Sequence, residues 1–295
     1  MISVRLATLA DTGAIVDIYR SHKPGMLADL TLYERWQEGG PWMSIETGAV
    51  HLNRLLAGSG VPLVAEVDGR VFAEAEVYES FEPPPYGHHL HIGTLVTHVD
   101  HEPNELEAAL IKYIAEMARL MKCERITATG AEPRDFYDAQ GFRHTRTGHS
   151  VRFPSQPGRV FYQSTELTEH QADQVKGWYM PLGRYQSSRQ EWDKLFPQDW
   201  AAGIPELLNI ATAHVKLTVT GQNAIMILRE SDQPGEINVA CWSARPLSQP
   251  LLTAIRDRAP RDGYQTIVSY VLETTLPAND IQVTNYTQEF YELPV

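Results

Sequence analysis

The chain has 295 residues, 43% of them hydrophobic, 9% aromatic and 21% charged, the make-up of a globular protein long enough for two domains of roughly 150 residues each. Its net charge of -12 argues against nucleic acid or an anionic membrane surface as a main partner, because affinity there comes from Lys and Arg neutralising phosphates. Two distant cysteines, Cys123 and Cys241, offer no disulfide framework or metal spacing, and neither an export signal nor a membrane-length apolar run is visible, so the expected setting is the cytoplasm.

In chain order, "ISVRLATLADTGAIVDIYRSH" reads as a strand and a helix, with Thr8 as N-cap, Asp11 three residues on, and Ile15, Ile18 and Tyr19 at helical spacing. A second helix is expected from Ser44 to Ala57, stopping at Gly58. In "VPLVAEVDGRVFAEAEVYES" two β-rich runs flank Asp68-Gly69, a strong hairpin turn. Alternation there sets Val71, Ala73, Ala75 and Val77 on one face, and Phe72, Glu74, Glu76 and Tyr78 on the other.

After the proline link Pro83 to Pro85, "HHLHIGTLVTHV" is a strand, followed by a long helix with Leu106, Ala109, Leu110, Tyr113, Ile114, Met117, Leu120 and Met121 on one apolar stripe. A strand at "RITATG", a short helix "PRDFYDAQ" ended by Gly141, and a strand from Phe142 to about Phe153 complete this half. The order predicts an α/β fold, a mixed sheet with helices on its faces. "FPSQPGRV" is the join, giving a first domain over 1–152, a linker over 153–162 and a second domain over 163–295. Beyond it, "VFYQSTELTEHQADQV" repeats the opening strand-turn-helix grammar, and "NAIMILRE", "INVACWS", the helix "LSQPLLTAIRDRA", "QTIVSYVL" and a closing strand near "IQVTNYTQEFYEL" follow. Two readings stand side by side: a divergent second copy of the same topology, or an unrelated α+β domain.

The "LATLAD" opening, the hairpin, the strand-helix unit and above all "FYDAQGFRHT" resemble the GNAT superfamily of acyl-CoA-dependent N-acyltransferases over residues 2 to about 152. The second half is similar only in element order. The resemblance implies an acyl transfer, normally of acetyl from acetyl-CoA, to an amine of a small molecule or peptide. It also implies that the backbone of Leu95, Val96 and Thr97 holds the pantetheine arm and that Tyr137 protonates the departing thiolate. Laid on the family pattern "VHPDYRGKGIGKALL", this chain reads "THVDHEPNELEAALI": the usual arginine falls on Glu102 and the glycines on Pro103, Glu105 and Glu107. A proline removes an N–H donor, and acids repel a diphosphate, so this loop is expected to be a poor pyrophosphate site. The same residues suit a self-capped helix start. The asparagine usual at the end of the fifth strand is here Gly130.

Glu74 and Glu76 share a strand face and are candidate bases for the amine, although a solvated face is the plainer reading for at least one of them. Tyr137 is equally readable as a core aromatic beside Phe136 and Phe142. The histidines at 88, 89, 91, 98 and 101 form the densest cluster, but alternation sends His89 and His91 to one face and His98 to the other, so no metal site is expected. In the second half, Arg245 and Ser248 begin a helix without an acid, and the plain reading is a serine cap. Trp178, Trp192, Trp200 and Trp242 are expected in the core or at the domain interface. The alternative function is a GNAT-fold ligand-binding or protein-interaction module that has lost coenzyme A.

Overall fold

A computed structural model describes residues 1–23, 25, 29–101, 103–130, 134–168, 171–195, 204–208, 210, 212–272 and 280–295. The elements of the first half are β1 (Ile2–Leu6), α1 (Thr12–Ser21), α2 (Leu32–Gly39), α3 (Ile45–Arg54), β2 (Val61–Val67), β3 (Arg70–Phe81), β4 (His88–Thr97), α4 (Pro103–Leu120), β5 (Arg125–Thr129), α5 (Arg134–Ala139) and β6 (Arg143–Pro154). Then come β7 (Tyr162–Glu166), β8 (Tyr179–Leu182), α6 (Ser188–Leu195), α7 (Pro205–Leu208), β9 (Thr212–Val219), β10 (Gln222–Glu230), β11 (Glu236–Ser243), α8 (Gln249–Arg258), β12 (Thr266–Val271) and β13 (Gln282–Pro294).

The local signals work as chemistry requires. Asp11 accepts hydrogen bonds from the Thr8 N–H (2.7 Å) and hydroxyl (2.9 Å), and both of its oxygens take Arg5 guanidinium nitrogens at 2.8 Å. Arg5 first, helped by Thr8 and opposed by partial burial, pulls the Asp11 carboxyl down to about 2. The cap heads a short 3-10 turn, Leu9–Asp11, that leads into α1. Asp68 and Gly69 both have positive φ, as a two-residue hairpin turn between β2 and β3 demands. The apolar stripe of α4 packs Leu106, Leu110 and Ile114 onto Ala73, Ala75 and Val77 of β3, while α1 and α3 cover the opposite face through Ile15, Val16 and Leu52.

Alternation along β3 breaks once. Phe72 is an extra residue on β3, since Ala65 faces Ala73 and Glu66 faces Val71, and this bulge turns Val71 toward the α1–α3 layer and Phe72 toward α4, the reverse of the periodic expectation.

All strands join one 13-stranded sheet ordered β1-β2-β3-β4-β5-β13-β6-β12-β11-β10-β9-β7, with β8 attached to β11. The order has an internal symmetry. Five strands lie on each side of a central pair, β13 and β6. In the first five, β4 and β5 are parallel and α4 crosses between them; in the last five, β11 and β12 are parallel and α8 crosses between them. The second half therefore repeats the first. The central pair is exchanged: β6, from the first half, pairs with β12, while β13, from the end of the chain, pairs with β5.

Candidate active site

A strand-helix-strand crossover makes a cleft where its parallel strands part. In the first unit β4 and β5 are paired from His89↔Arg125 to Ile92↔Ala128, after which β4 runs on alone to Thr97. Gly93 is an extra residue on β4: Val77 faces Ile92 and Glu76 faces Thr94, so the strand bulges where it leaves β5. The His98 N–H donates to the Phe72 carbonyl at 2.8 Å. By antiparallel alternation, the peptide groups of Leu95 and Thr97 then point away from β3; the Thr97 carbonyl is taken by His22 Nε2 at 2.8 Å, which leaves the Leu95 peptide groups and the Thr97 N–H toward the cleft. This is the edge that sequence reasoning assigned to a pantetheine arm, with Val96 facing the ladder instead.

The second unit lacks that opening. β11 and β12 pair only from Glu236↔Thr266 to Asn238↔Val268. Beyond that point β8 enters, antiparallel to β11 through Cys241↔Leu182 and Ser243↔Tyr179, and the Gly183 N–H donates to the Tyr270 carbonyl of β12 at 2.8 Å. A strand of the chain itself occupies the second cleft.

In solved structures the same architecture recurs. The chain aligns over 99% of its length with 72% of a GCN5-related N-acetyltransferase from Anabaena variabilis ATCC 29413 (TM-score 0.64, 8% identity), and over 99% with 70% of another from Kribbella flavida (0.61, 10%). It aligns over 100% with 98% of a tandem GNAT protein from the clavulanic acid biosynthesis pathway (0.50, 12%). The fold is that of a tandem GNAT protein. No family model matches the sequence, and no curated protein matches it.

At the mouth of the first GNAT unit's cleft, α4 begins at Pro103. Glu102 lies outside the described residues. Glu105 is exposed, whereas Glu107 is buried and faces the Thr97 hydroxyl at 3.4 Å. Glu105 lies in the first turn of α4 and Glu107 follows in the next, so two acids stand close to where a diphosphate would approach the helix start. The open β4 edge fits a pantetheine arm; the helix start does not fit a pyrophosphate. At the start of α8, the Ser248 hydroxyl accepts from the Leu251 N–H at 3.3 Å, the serine cap expected there.

Tyr137 is buried, stacks on Tyr291 of β13 at 4.1 Å and donates its hydroxyl to the Thr129 carbonyl at 2.9 Å. It therefore stands at the end of β5, beside the cleft, as both a core aromatic and a phenol at the splay.

Glu74 and Glu76 correct the sequence expectation of a solvated face: they are 0% and 4% exposed. The layer of α1 and α3 covers them, joined by α6 from the second half, which packs against β3. Glu76 accepts from Trp42 Nε1 (2.7 Å), His51 Nε2 (2.8 Å) and the Tyr78 hydroxyl (2.7 Å). Burial alone would raise its pKa, but His51, Trp42 and Tyr78 together bring it down to about 2. Glu74 receives one bond, from the Tyr19 hydroxyl at 2.8 Å, and burial followed by the Glu76 charge pushes its carboxyl well above the usual range. The three donors favour the ionised form of Glu76, while burial and that charge favour the protonated form of Glu74.

The histidines also differ from simple alternation. His91 is buried beside Thr127 (Nδ1 to Oγ1, 2.8 Å), and burial, then His89, keeps it well below its ordinary pKa. The Gly93 bulge shifts the strand phase, and His98 comes within 3.7 Å of Asp17 on α1. Among the described residues no group of three or more His, Cys, Asp or Glu could hold a metal ion. Trp192 and Trp242 are buried edge-to-face at 5.2 Å, Trp178 packs beside them, and Trp200 lies outside the described residues.

Sequence reasoning missed the second-half segment that closes over this layer. Gln186 Nε2 donates to the Gly93 carbonyl at 3.1 Å, and Gln190 lies so close that a Cβ at Gly93 would stand 2.4 Å from its amide nitrogen. Between β3, β4 and α6, six buried polar atoms lack a well-formed hydrogen bond among the described residues: Glu74 Oε1, Ser80 Oγ, His91 Nε2, Thr94 Oγ1, Gln190 Oε1 and Glu191 Oε1, with Thr94 the neighbour of Glu74 and Gln190 the neighbour of His91. Buried polar atoms are normally satisfied, so a concentration like this marks a place that water or a polar ligand completes.

Proposed function

We propose that this protein is an acyl-CoA-dependent N-acyltransferase whose chemistry is confined to the first unit, acting on an amine of a small molecule or peptide. The observation that carries the reading is the asymmetry of the two clefts: β4 leaves an open edge at Leu95 and Thr97, whereas β8 fills the equivalent gap in the second unit. In this reading the Leu95–Thr97 edge grips the pantetheine arm of acetyl-CoA. The polar layer around Glu74, Thr94 and Gln190 receives the amine from the opposite face.

The amine nitrogen forms a bond to the thioester carbonyl, the carbon–sulfur bond breaks, the amine gives up a proton and the thiolate gains one. Glu74 suits the proton-accepting role in its ionised form, because the burial and the Glu76 charge that favour its protonated form also make its carboxylate a stronger base, so transfer should rise with pH as Glu74 ionises. Glu76 is a positioning residue that stays ionised and fixes Trp42, His51 and Tyr78 around it. Tyr137 supplies the proton to sulfur after releasing the Thr129 carbonyl.

A specific observation favours a second reading, a non-catalytic module: Glu107 sits buried at the helix start, and Gln186 and Gln190 already press on Gly93. Calorimetry with acetyl-CoA separates the two. Thr97→Pro removes a cleft-facing N–H while leaving the β3 ladder intact, so under the enzyme reading it weakens binding by about tenfold, one charge-assisted or two neutral hydrogen bonds' worth, with little change in thermal midpoint. Replacing Glu105 and Glu107 together by glycine is expected to raise affinity and lower stability. No heat at millimolar acetyl-CoA, and no thiol released with an amine panel, would leave the non-catalytic reading.

A further inference from the structure

Outside the first cleft, the junction of the two units encloses a cavity of about 270 Å³. Its walls come from four separate places: the Glu82–Tyr86 corner between β3 and β4, Arg146 on β6, β8, and the Leu247 and Leu272 positions flanking the crossover of the second unit. It lies at the mouth of the second cleft, in the space that β8 leaves unfilled.

Its charge is unlike that of the whole molecule. The Arg184 guanidinium is buried and ion-paired with Glu82, so those two charges cancel. Arg146 has no carboxylate within ion-pair distance among the described residues; its polar contact is the Tyr86 hydroxyl at 3.4 Å. Both guanidinium groups stand over the Tyr86 ring, at 4.9 Å for Arg146 and 4.3 Å for Arg184. A half-buried aromatic held between cations makes a rigid wall. The lining thus carries one net positive charge in a chain of net charge -12, and the remaining surface is apolar, through Met180, Leu247, Val271 and Leu272.

We propose that this junction cavity is a binding site for a small organic monocarboxylate with an aromatic or branched apolar body. Arg146 takes the carboxylate through its guanidinium, and Leu247, Val271 and Met180 bury the body. One uncancelled guanidinium suits one carboxylate, since the planar fork accepts two oxygens side by side. The cavity is smaller than ordinary ligand pockets of about 300–1,000 Å³, which restricts the ligand to on the order of ten heavy atoms.

The test is titration calorimetry on the full chain with phenylacetate, phenylacetamide and 2-phenylethylamine. Phenylacetate is expected to bind at least about tenfold more tightly than its amide, the difference between a charged and a neutral acceptor, and the amine to bind least. Arg146→Gln removes the preference for the acid. Leu247→Trp, which fills the cavity from a half-buried loop position, abolishes binding of both and keeps the inference testable if the Arg146 variant folds poorly. Thr97→Pro leaves phenylacetate binding unchanged, which separates this site from the acyl-transfer cleft. Equal binding of acid and amide, binding that survives both cavity substitutions, or no binding of phenylacetate at millimolar concentration would each overturn the proposal.

Discussion

Replacing Glu76 and Glu74 one at a time by glutamine should have opposite effects, although the two are neighbours on one strand face. Glu76 collects three donors at 2.7–2.8 Å while 4% exposed. In Glu76→Gln the amide oxygen still accepts from Trp42 and His51, and the Tyr78 hydroxyl can turn to accept from the new NH2. Every donor keeps a partner and only the charge is lost. A hydrogen bond to a charged group is worth about 1 kcal/mol more than a neutral one, so three give a loss of about 3 kcal/mol, reduced somewhat because a neutral amide is easier to bury. Glu74→Gln replaces a group whose neutral form burial already favours, and the amide keeps the bond from the Tyr19 hydroxyl.

The sign of the pH dependence follows. Glu76 has a folded pKa of about 2 against an ordinary 4.5, so its stabilisation is complete above about 4.5 and is lost as pH falls toward 2. Glu74, raised in the fold, contributes stability present below the ordinary carboxylate range and lost as pH rises through its folded pKa. Urea denaturation across pH 3 to 8 reads the start of the Glu76 loss at its acid end and the Glu74 loss above the ordinary carboxylate range. Glu76→Gln should lower stability at neutral pH and flatten the acid limb. Glu74→Gln should match or exceed the parent at neutral pH. Equal losses from both, or an acid limb that persists in Glu76→Gln, would refute the assignment of charge.

Gly183 has φ +87 and a Cβ there would meet the Ala240 Cα at 2.6 Å, so Gly183→Ala should unseat β8 and cost several kcal/mol, seen as a lowered urea midpoint. Tyr137→Phe leaves the Thr129 carbonyl without its phenol donor and should lower stability by about 1 kcal/mol, a shift of roughly 2–4 °C in thermal midpoint for a chain of this size, and reduce thiol release at least about tenfold if the phenol is the acid. Because β13 pairs with both β5 and β6, single-tryptophan variants retaining Trp42 or Trp242 should unfold at one common urea concentration, and removing residues 282–294 should abolish that transition for both probes.

Much of this architecture was legible locally. The Thr8–Asp11 cap, the Asp68-Gly69 turn and the α5 helix within "FYDAQGF" are set by residues within a few positions of each other and stand as read, and so does the α4 stripe except at its end, where Leu120 is 84% exposed because the last turn of the helix runs past the sheet. Helix α2, with mostly polar residues and none buried, is announced by the Thr31–Glu34 capping box, a local signal that the sequence reading passed over. What the sequence concealed depends on distant partners. The bulges at Gly93 and opposite Val71 each insert one residue and reverse every face beyond them, which no alternation rule anticipates. The burial of Glu74 and Glu76 escaped because α6 arrives from the other half of the chain carrying a polar sequence, "SRQEWDKL". The exchange of β6 and β13 was equally hidden: both strands look like ordinary sheet segments, and nothing in a strand's own pattern names the neighbour it will choose.

The two clefts are also not independent, because one short segment acts on both. β8 closes the second cleft, and its last hydrogen bond, from Gly183 to Tyr270, is followed at once by Arg184 pairing with Glu82 in the first unit. Gln186 then reaches the Gly93 carbonyl, and α6 delivers Gln190 to the same bulge. A shift of β8 along β11 would therefore draw Gln186 and Gln190 across the open β4 edge. Filling the second cleft is thus mechanically tied to shaping the first, and a duplicated fold with one cleft given up to its own strand gains a fixed wall for the other.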